Sequence, residues 1–201
     1  MLIPLDKKPV SIIEHEVEDT VRAALKKWAM PNPEAGFSSP GYGGLYPKEG
    51  QIGRADLRPD DVGIIVVAGS GLGAGLWDNT TAFTAAAAAT GFVTEINVTT
   101  DEDAYLIIEG IRDRTVNPDL TEMQISIMGM DYPVQHVTEI FDFDPAGFGW
   151  LPMPIVCPPK TSLKVQLRYK ATVAAAAELV GLIGEVIAKQ AYLQKAVHAV
   201  S

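Results

Sequence analysis

Residues 62–77, VGIIVVAGSGLGAGLW, raise the first question of chemistry. An apolar run leads into Gly69, Gly71, Gly73 and Gly75. Gly69, Gly71 and Ala74 have the G-x-G-x-x-A spacing with which a strand-to-helix turn cradles the pyrophosphate of a dinucleotide. Glu95 stands near the distance at which an acidic residue meets the ribose. Two features oppose this. Asp78, Asn79 and Thr80 are good helix caps, so a helix over TAFTAAAAAT (81–90) starts after the loop, away from the glycines that would hold phosphate at its N-terminus. The acidic turn TTDED (99–103) then returns directly into AYLIIEGI (104–111), leaving no crossover helix to build a parallel sheet. The stretch reads as a strand followed by a glycine-rich crossing. A nucleotide-binding oxidoreductase using Gly69–Ala74 is the third-ranked function.

Other reactive residue types are scattered. His15, His136 and His198 fall in different elements, with no Cys or second His at ligand spacing, so no metal site is expected. Asp142, Asp144 and Gly147 resemble the start of a calcium loop, but Ala146 and Met153 occupy later ligand positions. Asp101, Glu102 and Asp103 read as a solvated turn. There is no P-loop, and Gly69-Ser70-Gly71 lacks the outer glycines of a nucleophile elbow. Cys157, the only cysteine, sits between Val156 and Pro158 with no basic neighbour in sequence to activate it. The expectation is a protein without catalytic residues, cofactor or metal.

The elements that would position any site follow from periodicity. The 201 residues suffice for one domain with a core, or a core plus an arm. The formal charge of -9 gives no footprint for nucleic acid. MLIPLDKKP is too short and too broken by charge and proline for a signal peptide. The apolar stretch 171–188 carries Glu178 and Glu185, so no transmembrane segment is expected. Residues 11–29 predict an amphipathic helix with Ser11 and Glu14 at capping-box spacing, acidic residues early and basic residues late. Its stripe of Ile13, Val17, Val21, Ala24 and Trp28 packs on its own domain or serves as an arm on a neighbouring subunit. Residues 31–60 show neither helix nor strand period. Phe37, Tyr42, Leu45 and Tyr46 give that stretch something to bury.

Beyond residue 90 the period becomes two. LKVQLRYK (163–170) places Leu163, Val165, Leu167 and Tyr169 on one face. FVTEINV (92–98) and AYLIIEGI (104–111) read as a hairpin. EMQISIM (122–128) and PVQHVTEIF (133–141) read as a second, with Pro133 starting its strand or lying at an edge. Residues 149–157 are extended and proline-punctuated. Residues 178–188 read as a last strand or a helix, with the strand favoured for the first half and a helical tail at 189–200. The chain therefore predicts a mainly β fold: an antiparallel β-sandwich or single jelly roll over 61–201, preceded by a helix and Gly/Pro-rich arm over 1–60.

The arrangement GWLPMPIVCPPKTSLKVQLRYKA, then a short linker, then ELVGLIGEVIA (149–188) resembles the closing strands of single jelly-roll major capsid proteins of icosahedral viruses with an internal membrane. The resemblance covers a fifth to a third of the chain. It implies a non-enzymatic shell subunit in a virion that assembles with itself through sheet edges and loops. It also implies an N-terminal arm on neighbours and other virion proteins as further partners. The chain departs from it in lacking a basic N-terminus. Ile13, Val17, Val21, Trp28, Phe37, Tyr42 and Tyr46 are the expected assembly contacts. The alternative is a β-sandwich module for carbohydrate or another ligand, with Trp77 and Trp150 stacking on it; such a protein would be cytoplasmic if not viral.

Overall fold

The computed structural model describes residues 10–29, 52–62, 77–78, 91–113, 119–137, 148–170, 179–189 and 192–193. One helix, α1 (Val10–Ala29), precedes ten strands: β1 (Ile52–Asp56), β2 (Trp77–Asp78), β3 (Val93–Thr99), β4 (Ala104–Asp113), β5 (Leu120–Ile127), β6 (Met130–Asp131), β7 (Gln135–His136), β8 (Phe148–Cys157), β9 (Ser162–Tyr169) and β10 (Leu179–Lys189). A short 3-10 turn, Pro59–Val62, follows β1.

The strands form two sheets. Sheet A runs β1-β10-β4-β8, with β2 also on β10; sheet B runs β3-β9-β5-β6, with β7 also on β5. Every pair among the described strands is antiparallel. Gly69–Ala74 lie outside the described residues, and no described strand has the parallel partner that a dinucleotide fold requires. Leu106, Ile108 and Val186 from sheet A and Ile125, Val165 and Leu167 from sheet B belong to one core cluster, so the sheets face each other.

β9 shows the cause plainly. Leu163, Val165, Leu167 and Tyr169 are all buried, while Ser162, Lys164, Gln166 and Arg168 alternate on the open side. β4 differs, because both its faces are covered. Leu106 and Ile108 enter the sandwich core, whereas Tyr105 and Ile107 join Ile187 beneath Ile13, Val17 and Ala24 of α1. A stripe at three- and four-residue spacing on α1 thus closes the outer face of sheet A, which would otherwise leave large apolar side chains in water.

Several expectations are corrected. Residues 92–98 and 104–111 are not a hairpin: β3 pairs with β9 in sheet B, and β4 pairs with β10 and β8 in sheet A. A doubly buried β4 demands partners on both edges and cover on both faces, which the half-exposed β3 cannot supply. Alternation in β3 is also broken. Glu95 is an extra residue between Thr94 and Ile96, so Val93, Ile96 and Val98 all pack on the core. The supposedly aperiodic stretch 31–60 contains β1, whose whole length pairs with β10, so sheet A begins before residue 61. Ser11 lies within the first turn of α1 rather than at its cap. Val62 ends the 3-10 turn instead of opening a strand, and β10 stays extended as far as Lys189.

The second expected hairpin is present, with a tighter turn. Ile127 pairs with Met130 around Met128 and Gly129, whose φ values of 54 and 76 give the left-handed two-residue turn that matches strand twist. The returning strand is interrupted after Asp131 and resumes at Gln135, with Pro133 in the gap at the sheet edge.

Candidate interaction surface

Among the described residues, the groups singled out as chemistry-bearing are engaged in structural contacts or buried. Asp101 accepts a hydrogen bond from the Asp103 amide at 2.9 Å. Glu102 pairs with Lys160 at 2.6 Å, and Asp103 with Lys189 at 2.6 Å. The Lys160 ammonium holds the Glu102 carboxyl below its usual range, and Glu102 in turn raises Lys160. His136 Nδ1 lies 3.4 Å from Glu122, whose other oxygen accepts from Arg168 at 2.8 Å. His15 lies 3.6 Å from Asp19 on α1. Cys157 is fully buried, and burial pushes its thiol up to about 12. Among the described residues, no three His, Cys, Asp or Glu groups cluster to hold a metal, and no helix is long and apolar enough to cross a membrane. Residues 142–147 and His198 lie outside the described set.

Two polar knots that periodicity did not reveal fix the frame. The Thr100 hydroxyl donates to the Pro158 carbonyl at 2.5 Å and accepts from the Thr161 amide at 2.9 Å, tying the β3–β4 corner to the β8–β9 corner. The Asp61 carboxylate, its side chain fully buried, accepts from the Arg58 amide at 2.8 Å, from the Arg58 guanidinium and from the Tyr192 hydroxyl at 2.9 Å. That knot joins the segment after β1 to the segment after β10.

The expected assembly stripe is placed on the chain's own sheet. Ile13 and Val17 are buried there, and Val21 and Trp28 are partly buried. The Trp28 ring stands edge-on to Tyr105, centroids 5.5 Å apart, with Lys189 over Trp28 at 5.7 Å. Phe37, Tyr42 and Tyr46 lie outside the described residues. Trp150 is only 6 % exposed, so its ring is packed away and not open to stack on a sugar. Trp77 belongs to β2, and its side chain is outside the described set.

The surface that stands out is the rim where β8 faces β6 and β7. Ile155 pairs with Ile108 and Trp150 with Gly110, so Leu151, Pro152, Met153 and Pro154 bulge against Glu109 alone. This bulge and the broken β6–β7 return border an apolar cleft of about 340 Å³, lined among others by Ile125, Tyr132, Pro133, Met153 and Ile155. Met153, which lines the cleft, is 63 % exposed, and Met128 and Met130 at the β5–β6 turn are 66 and 65 % exposed. Unbranched, polarisable methionine side chains adapt to a contacting surface at low cost. Pro152, Pro154 and Pro133 meanwhile blunt the strand edges against uncontrolled pairing.

No protein-family model matches the chain, and neither does any curated protein or solved structure.

Proposed function

We propose that this chain is a non-enzymatic shell subunit, a single jelly roll that assembles with copies of itself in a virion. The strand wiring is the observation that carries the reading. Counting β6 and β7 as one interrupted strand and setting aside the two-residue β2, eight strands pair in nested order. The first pairs with the last (β1 with β10), the second with the seventh (β3 with β9), the third with the sixth (β4 with β8), and the central two form the hairpin. Nested pairing of this kind supports the double Greek key of the jelly roll. It is also the wiring implied by the capsid-like closing strands at 149–188. Jelly rolls host lectins and enzymes as well as shells, so the role rests on the surface. The exposed side chains of Met128, Met130 and Met153 favour contact with other protein copies. The helix seat supplies a place where an N-terminal arm meets an apolar sheet face, in its own subunit or in a neighbour.

The test is electron microscopy of concentrated protein, with light scattering on the same sample. Rings, pentons, sheets or closed shells support the reading; a dispersed, stable monomer overturns it.

The cleft favours a second reading, a β-sandwich module for a small apolar ligand, because its volume falls within the range of about 300–1,000 Å³ typical of ligand sites. A saturable change in intrinsic fluorescence on titrating an apolar probe, lost in Met153→Glu, supports the module. A sugar titration that saturates would return the carbohydrate version despite the buried Trp150.

A further inference from the structure

Methionine is ordinarily among the most buried side chains. Met123 follows that rule at 0 % exposed. Among the described residues outside α1, the large apolar side chains exposed to solvent are Met128, Met130, Tyr132 and Met153, with no Leu, Ile, Val or Phe among them. The apolar surface that the sheets present is therefore mostly thioether, a group that a mild oxidant converts into a polar one. Position separates the three methionines. Met128 and Met130 belong to the β5–β6 turn. Met153 stands in the β8 bulge between Pro152 and Pro154 and lines the cleft beside Ile125, Leu151 and Ile155.

We propose that Met153 is a sulfoxidation site and that its oxidation closes the cleft to apolar ligands. The oxidant is a hydroperoxide, and the step is a two-electron oxygen transfer. The Met153 Sδ lone pair attacks the terminal peroxide oxygen, and the S–O bond forms as the O–O bond breaks. The proton of the transferred oxygen passes to the leaving alkoxide or hydroxide, giving alcohol or water. Sulfur is oxidised, the peroxide is reduced, and no further reactant is needed. The product sets a polar, hydrated group in a wall built largely of apolar side chains, and an apolar ligand must strip that water to enter. The closing of the cleft rests on the reading of it as a ligand site; the modification itself rests on exposure alone.

The test treats the full chain with graded hydrogen peroxide, maps each methionine by peptide mass, and titrates the product with the neutral fluorophore N-phenylnaphthylamine. Met153 is expected to oxidise at least about tenfold faster than Met123, which reacts only when the fold opens. The Met153 sulfoxide is expected to bind the fluorophore about tenfold more weakly. Met153→Leu should keep its binding after peroxide, and the double variant Met128→Leu with Met130→Leu should still lose it. Methionine sulfoxide reductases with a dithiol should restore binding to the oxidised chain, which separates the closed cleft from a damaged fold. Equal oxidation rates at Met153 and Met123 overturn the site. A Met153 sulfoxide with unchanged fluorophore affinity overturns the closing of the cleft and leaves the ligand reading standing. No binding to the reduced protein overturns both.

Discussion

Thr100 shows how a single side chain governs the shape of the sandwich. Its hydroxyl holds two corners that must turn together for the chain to pass between the sheets. Thr100→Val keeps the volume but leaves the Thr161 amide and the Pro158 carbonyl short of a partner. The expected cost is about 1–3 kcal/mol in a urea titration, with Thr100→Ser retaining most of it. Cys157 offers a pH test at the same scale. Its folded thiol titrates at about 12, against an ordinary value of 9.0. The native state therefore holds this proton more tightly than the unfolded chain, and stability falls as pH rises through that interval. Cys157→Ala should flatten the alkaline part of the stability curve, and thiol reagents at neutral pH should leave the folded protein unlabelled.

At the scale of elements, Gly184 sets how closely β10 and β4 approach. A Cβ there would lie 1.9 Å from the Ile107 carbonyl oxygen, at the register break between Ile183 and Gly184. The three nearest atoms are all β4 backbone, at Ile107 and Ile108, which leaves no flexible side chain to yield, so Gly184→Ala is expected to cost about 3 kcal/mol or more and to appear chiefly as insoluble protein on expression. Gly129→Ala meets no atom within 4 Å and carries only the strain of its φ of 76, about 1 kcal/mol. Circular dichroism melts of the two variants give the comparison. β9 and α1 were legible in the sequence because each announces itself by its own period: two in Leu163–Tyr169, and three to four in Ile13–Trp28. β1 was not, since IGRAD mixes glycine and two charges and becomes a strand only because β10 lies beside it. The supposed pairing of β3 with β4 failed for a related reason. Proximity in sequence suggested a hairpin, whereas the true partners, β9 and β10, lie far along the chain. The Thr100 and Asp61 knots were equally hidden, their partners standing 61 and 131 residues away. Periodicity within the bulged 151–154 segment likewise gave no sign of the cleft.

At the scale of the whole molecule, nested pairing explains why both termini of the described sandwich meet. β1 and β10 are neighbours, and the Asp61–Tyr192 bond fastens the segments that follow them. The frame closes on itself, with α1 over the outer face of sheet A and the apolar cleft beside β8 at its rim. The most direct test of this account is sedimentation velocity of the full chain over a wide concentration range, with the same fractions imaged by electron microscopy. The account predicts a concentration-driven shift from the 21.5 kDa subunit to a discrete, symmetric assembly. A single 21.5 kDa species throughout would contradict it.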